Sequence, residues 1–215
     1  MTQPPGSGGR DFPRSRVRLR LEALQRDVLD GIPDVGTDAD ALVRVPGDVC
    51  VLPWFEDERP FQGLLGLLDW RRDGSLSALA RDGIALGTFG ESVLVPAGAG
   101  MPAQRLVLLG CGARDRFDAD AAAGVGMKVA SVALDLRPSS VIVGLPSGCA
   151  ERDVLESLFL GVLRGIEDRG DDQAEAMLTT PTHPWWVVAE ERHVARLRRL
   201  LDGPLRAAVE TTSSS

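Results

Sequence analysis

Glu91–Gly112 reads ESVLVPAGAGMPAQRLVLLGCG. Ser92–Val95 is a short apolar run, and Pro96, Gly98, Gly100 and Pro102 punctuate the loop after it. Leu106–Leu109 is an unbroken run of large aliphatics, ended by Gly110-Cys111-Gly112. Short apolar runs bounded by Gly and Pro predict strands rather than helix. A run without polar alternation implies burial on both faces, as in an α/β sheet covered by helices above and below. Leu106–Leu109 is therefore expected to be the central strand.

The 215 residues suffice for one large domain with a sizeable core. Hydrophobic content of 44% and charged content of 26% are ordinary for a globular chain. With 31 acidic against 24 basic residues, the net charge of −7 argues against nucleic acid or an anionic membrane as partner. Lys128 is the single lysine. Cys50, Cys111 and Cys149 are too few and too scattered for a disulfide framework or zinc ribbon. No run approaches the roughly 18 apolar residues of a membrane span, and no secretory leader is seen. A cytoplasmic location is expected.

Residues 1–16 are rich in Gly and Pro and are expected to form a disordered leader, as 206–215 form a flexible tail, leaving 17–205 as one domain. Val17–Leu21 alternates as an edge strand should, and Val49–Phe55 is the next strand, with Pro53 expected to bend or end it. Phe61, Leu64, Leu65 and Leu68 stripe a helix, and Leu76 to Ala80 form a second short one. After the two strands of the opening stretch, Asp118 suits an N-cap, and Val125, Val129, Val132 and Leu136 share one face of a helix stopped by Pro138. If that helix packs on the sheet, Gly124 and Gly126 would let it approach closely. Val141–Leu145 is a strand, Val154 to Ile166 an amphipathic helix, Trp185–Ala189 a last strand and Val194 to Leu201 a last helix. Strands alternating with helices call for parallel pairing and right-handed crossovers. The expected fold is a single three-layer α/β domain, its mixed, mostly parallel sheet covered by helices on both faces.

The order of motifs Phe55-Glu56-Asp57, Leu64–Asp69, Gly87-x-x-Gly90-Glu91 and Leu106-Val107-Leu108-Leu109-Gly110-x-Gly112, followed by Phe117, resembles the N-terminal domain of the leucyl (cytosol) aminopeptidases. The resemblance implies a fold similar to macro domains. Thr88 and Ala113 stand where the family has lysines, and Cys111 where it has leucine, so no role of those lysines carries over. In that family the metal ions and catalytic residues belong to a separate C-terminal domain with an Asn-Thr-Asp-Ala-Glu-Gly-Arg signature. That signature is absent, and the sequence contains no asparagine. What the resemblance implies is the fold without the peptidase machinery.

Candidate chemistry is sparse. His183 and His193 show no metal-ligand spacing, and neither a metal nor another cofactor is expected. Cys111 and Cys149 each follow a buried strand; if those strands are parallel neighbours, both thiols lie on one rim of the sheet. Both are expected to be small packed residues, since no histidine lies near in sequence to activate a thiolate. Glu56, Asp57 and Glu58, with Arg59 beside them, are expected to form a solvated turn. Of Trp185 and Trp186, one ring should face the core, and the other is either covered by a helix or a contact surface. Open α/β sheets bind ligands beyond the carboxyl ends of their strands, so the candidate ligand rim is Gly110, Cys111, Gly112, Ser147, Gly148 and Cys149. Asp115, Asp118, Asp120, Glu151 and Asp153 outnumber Arg114, Arg116 and Arg152 around it and should repel a diphosphate. The first expectation for function is a non-catalytic regulatory or protein-binding module. Alternatives are a macro-type binder of a nucleotide or ADP-ribose, an accessory chain of a separately encoded aminopeptidase, and an enzyme acting through Cys111. The composition does not indicate an oligomeric state.

Overall fold

The structure is a computed structural model that describes residues 19–24, 47–98, 103–147, 152–169 and 185–190. The expected leader, tail and last helix, and His183 and His193, lie outside these residues. In chain order the elements are β1 (Leu19–Leu24), β2 (Gly47–Trp54), α1 (Gly63–Arg71), α2 (Ser75–Arg81), β3 (Ser92–Pro96), β4 (Ala103–Gly110), a 3₁₀ turn (Arg114–Arg116), α3 (Ala119–Asp135), β5 (Val141–Gly144), α4 (Arg152–Arg169) and β6 (Trp185–Glu190). Six strands form one sheet in the order β1-β6-β5-β2-β4-β3. Every pairing is parallel except that of β3 with β4. The macro-like α/β architecture is as the sequence implies.

One expectation about strand placement is corrected, and one condition is not met. β4 is not central: β2 and β5 hold the middle, and β4 lies between β2 and the edge strand β3. An apolar run reports cover on both faces of a strand, and that cover reaches next to the edge. Nor are β4 and β5 neighbours, because β2 separates them. Pro53 does not end β2, which continues to Trp54. The β5 ladder pairs β2 as far as Val51, so the missing proline N–H falls beyond it.

Alternation along β2 divides the core. Val49, Val51 and Phe55 join α3 and α4 in one cluster. Cys50, Leu52 and Trp54 join α1 and α2 on the opposite face in another. The Asp118 carboxylate caps α3 by accepting from the Ala121 N–H at 2.9 Å. α3 and α4 lie against one another on glycine: a Cβ on Gly126 would stand 2.0 Å from the Leu158 carbonyl oxygen, and one on Gly161 2.1 Å from that of Ala123. Trp185 is buried at the start of β6.

Gly126→Ala separates two opposed effects. Helix propensity favours alanine by about 1 kcal/mol, whereas a backbone clash forces the helices apart at about 1–3 kcal/mol or more. A net loss of stability in urea unfolding is expected. Gly124→Ala meets only the movable ring edge of Phe89 at 3.0 Å and should be close to neutral.

Candidate functional site

The carboxyl ends of the parallel strands form the rim, and its floor is a backbone interlock. The Gly110 N–H donates to the Glu91 carbonyl at 2.8 Å, that of Cys111 to Trp54 at 2.8 Å, and that of Gly112 to Gly87 at 2.9 Å. Gly90 N–H returns a bond to the Gly110 carbonyl at 2.9 Å, and Glu56 N–H to that of Gly112 at 3.0 Å. A Cβ on Gly110 would sit 2.0 Å from the Thr88 carbonyl oxygen, and one on Gly87 2.8 Å from the Glu56 Cα. The glycines of the two motifs thus admit each other's backbone. The three candidate amides are already bonded and are not offered to a ligand.

Glu91 completes the interlock. Its carboxylate accepts from the Leu86 and Gly87 N–H groups at 2.8 and 2.6 Å, and so pins the turn that presents Phe89.

Topology marks the crevice. β2 leads into α1 on one face, while its neighbours β4 and β5 lead into α3 and α4 on the other. Such a reversal is where open α/β sheets bind ligands. At the end of β2, Phe55 is buried and meets Phe117 edge-on, with ring centroids 4.9 Å apart. The Arg114 guanidinium lies 4.2 Å above the Phe55 ring. It donates through Nη1 to the Ser147 carbonyl and through Nη2 to the Ser147 hydroxyl at 3.0 Å, and its Nη2 stands 3.5 Å from Glu58 Oε2. Glu58 also accepts from the Gln62 N–H at 2.9 Å. The Arg114 backbone N–H donates to Asp57 at 3.2 Å. On the opposite face Arg59 lies over Trp54 at 4.7 Å.

Of the predicted rim, Gly110 is the last residue of β4, Cys111 and Gly112 follow it, and Ser147 lies in the segment after β5; Gly148 and Cys149 lie outside the described residues. The solvated-turn expectation holds for Glu56 and Asp57 and is corrected for Glu58, which is buried. The residues missed were Phe55, Glu58 and Arg114 acting together. Phe55-Glu56-Asp57 signalled the β2 end, but no local pattern links Glu58 to an arginine 56 residues on. Cys111 is buried. Burial in β2 pushes the Cys50 thiol up to about 12, so it holds its proton at neutral pH. Among the described residues no group of three or more His, Cys, Asp or Glu could hold a metal ion, and no helix is long and apolar enough to cross a membrane.

The sequence profile described as the cytosol aminopeptidase family, N-terminal domain, matches residues 51–167. No curated protein matches the chain. Among solved structures, a mutant tomato leucine aminopeptidase is similar over 90% of this chain and 36% of its own, at 16% identity and a TM-score of 0.54. The chain thus spans about a third of that enzyme's length. A macrodomain of Oceanobacillus iheyensis, solved with ADP, is similar over 75% of this chain and 86% of its own, at 10% identity and a TM-score of 0.52. The macrodomain of Mycobacterium tuberculosis DarG is similar over 81% and 99%, at 12% identity and a TM-score of 0.50.

Replacing Glu91 by alanine strands two N–H groups at the Gly87 turn. A loss of about 1–2 kcal/mol is expected in chemical unfolding, with faster amide exchange at Leu86 and Gly87.

Proposed function

Because the chain belongs to the cytosol aminopeptidase family through its N-terminal domain, we propose that it acts as a regulatory or protein-interaction module. One observation carries this. Of the six exposed large hydrophobics among the described residues, Ile84, Leu86, Phe89 and Leu94 fall within one short segment, each more than half exposed. That segment runs through the pinned turn into the edge strand β3. An exposed aromatic on a turn whose backbone is pinned, beside aliphatic side chains, is the composition of a contact surface. Phe89 also borders, with Met127 and Lys128, a groove of ≈ 710 Å³ along the outer sides of α3 and α4. A separately encoded catalytic chain of the family is the first partner to test, since the similar tomato enzyme carries this fold as a fraction of its length.

Tagged wild-type chain and Phe89→Glu/Leu94→Glu are compared for capture of that catalytic chain, with Asp82→Ser as a surface control. Expected is retention by wild type and control and loss by the double variant, at unchanged circular dichroism. Equal capture by all three would remove this surface from the proposal.

The alternative is a macro-type ligand, a nucleotide or ADP-ribose, at the rim. The occupied amides and surrounding carboxylates oppose it. ADP-ribose and ATP are expected to bind no better than about 1 mM, roughly 4 kcal/mol. A low-micromolar constant by calorimetry, abolished by Gly112→Asp, would place this alternative first.

A further inference from the structure

We propose that the crevice at the carboxyl end of β2 is a guanidinium receptor, filled by the chain's own Arg114 and exchangeable with an arginine presented by a partner protein. This deepens the interaction proposal, on which it rests, by naming the chemistry of the partner.

The crevice offers an aromatic face and acceptor oxygens. Phe55 supplies the platform, Ser147 a carbonyl and a hydroxyl oxygen, and Glu58 a carboxylate only 2% exposed. A flat cation with several N–H donors satisfies all of these at once; an ammonium ion, with no planar fork to stack, does not. The reversal of strand connections places this receptor where the fold opens to ligands. The buried carboxylate, together with Asp57 beside it, turns an anion away.

The present occupant, bonded to Ser147, stays open to solvent on one side. Arg114 comes from a three-residue turn, its side chain is 40% exposed, and its approach to Glu58 is a long 3.5 Å. Removing it without replacement leaves a buried carboxylate short of its cation, which is strongly unfavourable. Exchanging one guanidinium for another keeps that carboxylate paired. The barrier to occupancy from outside is thus competition with a tethered side chain at high effective concentration.

The test titrates Nα-acetyl-arginine amide, with Nα-acetyl-lysine amide as control, into wild type, Arg114→Ala and Arg114→Ala/Glu58→Gln, followed by NMR. Expected is at least ten-fold tighter binding of the arginine amide to Arg114→Ala than to wild type. The lysine amide should show no such gain, and the added Glu58→Gln should remove it. No gain in a folded Arg114→Ala, or an equal gain for lysine, overturns the receptor. If Arg114→Ala does not fold, Arg114→Lys is titrated instead and read by the same criterion. The free amide reports on the receptor without any partner protein. Failure here therefore leaves the Phe89 and Leu94 surface standing, and failure of that surface leaves the receptor standing.

Discussion

The structure depends on a contact that admits no side chain. Gly110 lies so close to Thr88 that a Cβ would sit 2.0 Å from its carbonyl oxygen, and four backbone bonds tie Gly87–Glu91 and Trp54 to Gly110–Gly112. Glycine is required because backbone meets backbone, and at Gly87 and Gly112 also because φ is +81° and +77°. This contact joins the end of β2, the turn before β3 and the end of β4. It fixes the three segments that border the crevice relative to one another, so an error here would be felt at Phe55 as readily as at Phe89.

The same contact decides what the rim can do. Glycine-rich loops at strand ends are commonly places where free N–H groups meet phosphate. Here the glycines serve the protein's own backbone, and three potential donors are spent inside the fold. What remains at the crevice is a ring and acceptor oxygens with an arginine among them. Its polarity is inverted relative to a phosphate cradle, although the glycine pattern alone would suggest one.

Much of the architecture was legible in the sequence, since it rests on periodicity and punctuation. Asp118 caps its helix, and the strands start within a few residues of where their apolar runs do; Gly126, read as easing an approach to the sheet, instead lies against the Leu158 carbonyl of α4. Strand order was harder. Leu106–Leu109 shows burial above and below but carries no information about how many strands lie to each side, and β4 proved to be next to the edge. The crevice was harder still. Glu58 stands in a run of acids that reads as solvated, yet it is buried and pairs with Arg114, which the parallel register of β2 and β4 brings to the end of β2. Long-range pairing of that kind leaves no local trace.

The two faces of the Gly87–Glu91 turn account for the association of a quiet rim with an apolar exterior. Inward, the turn offers carbonyls and N–H groups that close the floor of the crevice; outward, it holds Phe89 in solvent at 57% exposure. A flexible aromatic would lose conformational freedom on meeting a partner, at about 0.5–1.5 kcal/mol for an immobilised side chain. Pinning the turn through Glu91 removes part of that cost before any encounter, since the backbone beneath the ring is already ordered. The glycine and glutamate motif thus uses its bonds twice: once to satisfy the backbone of Gly110–Gly112, and once to fix the turn beneath an exposed apolar side chain.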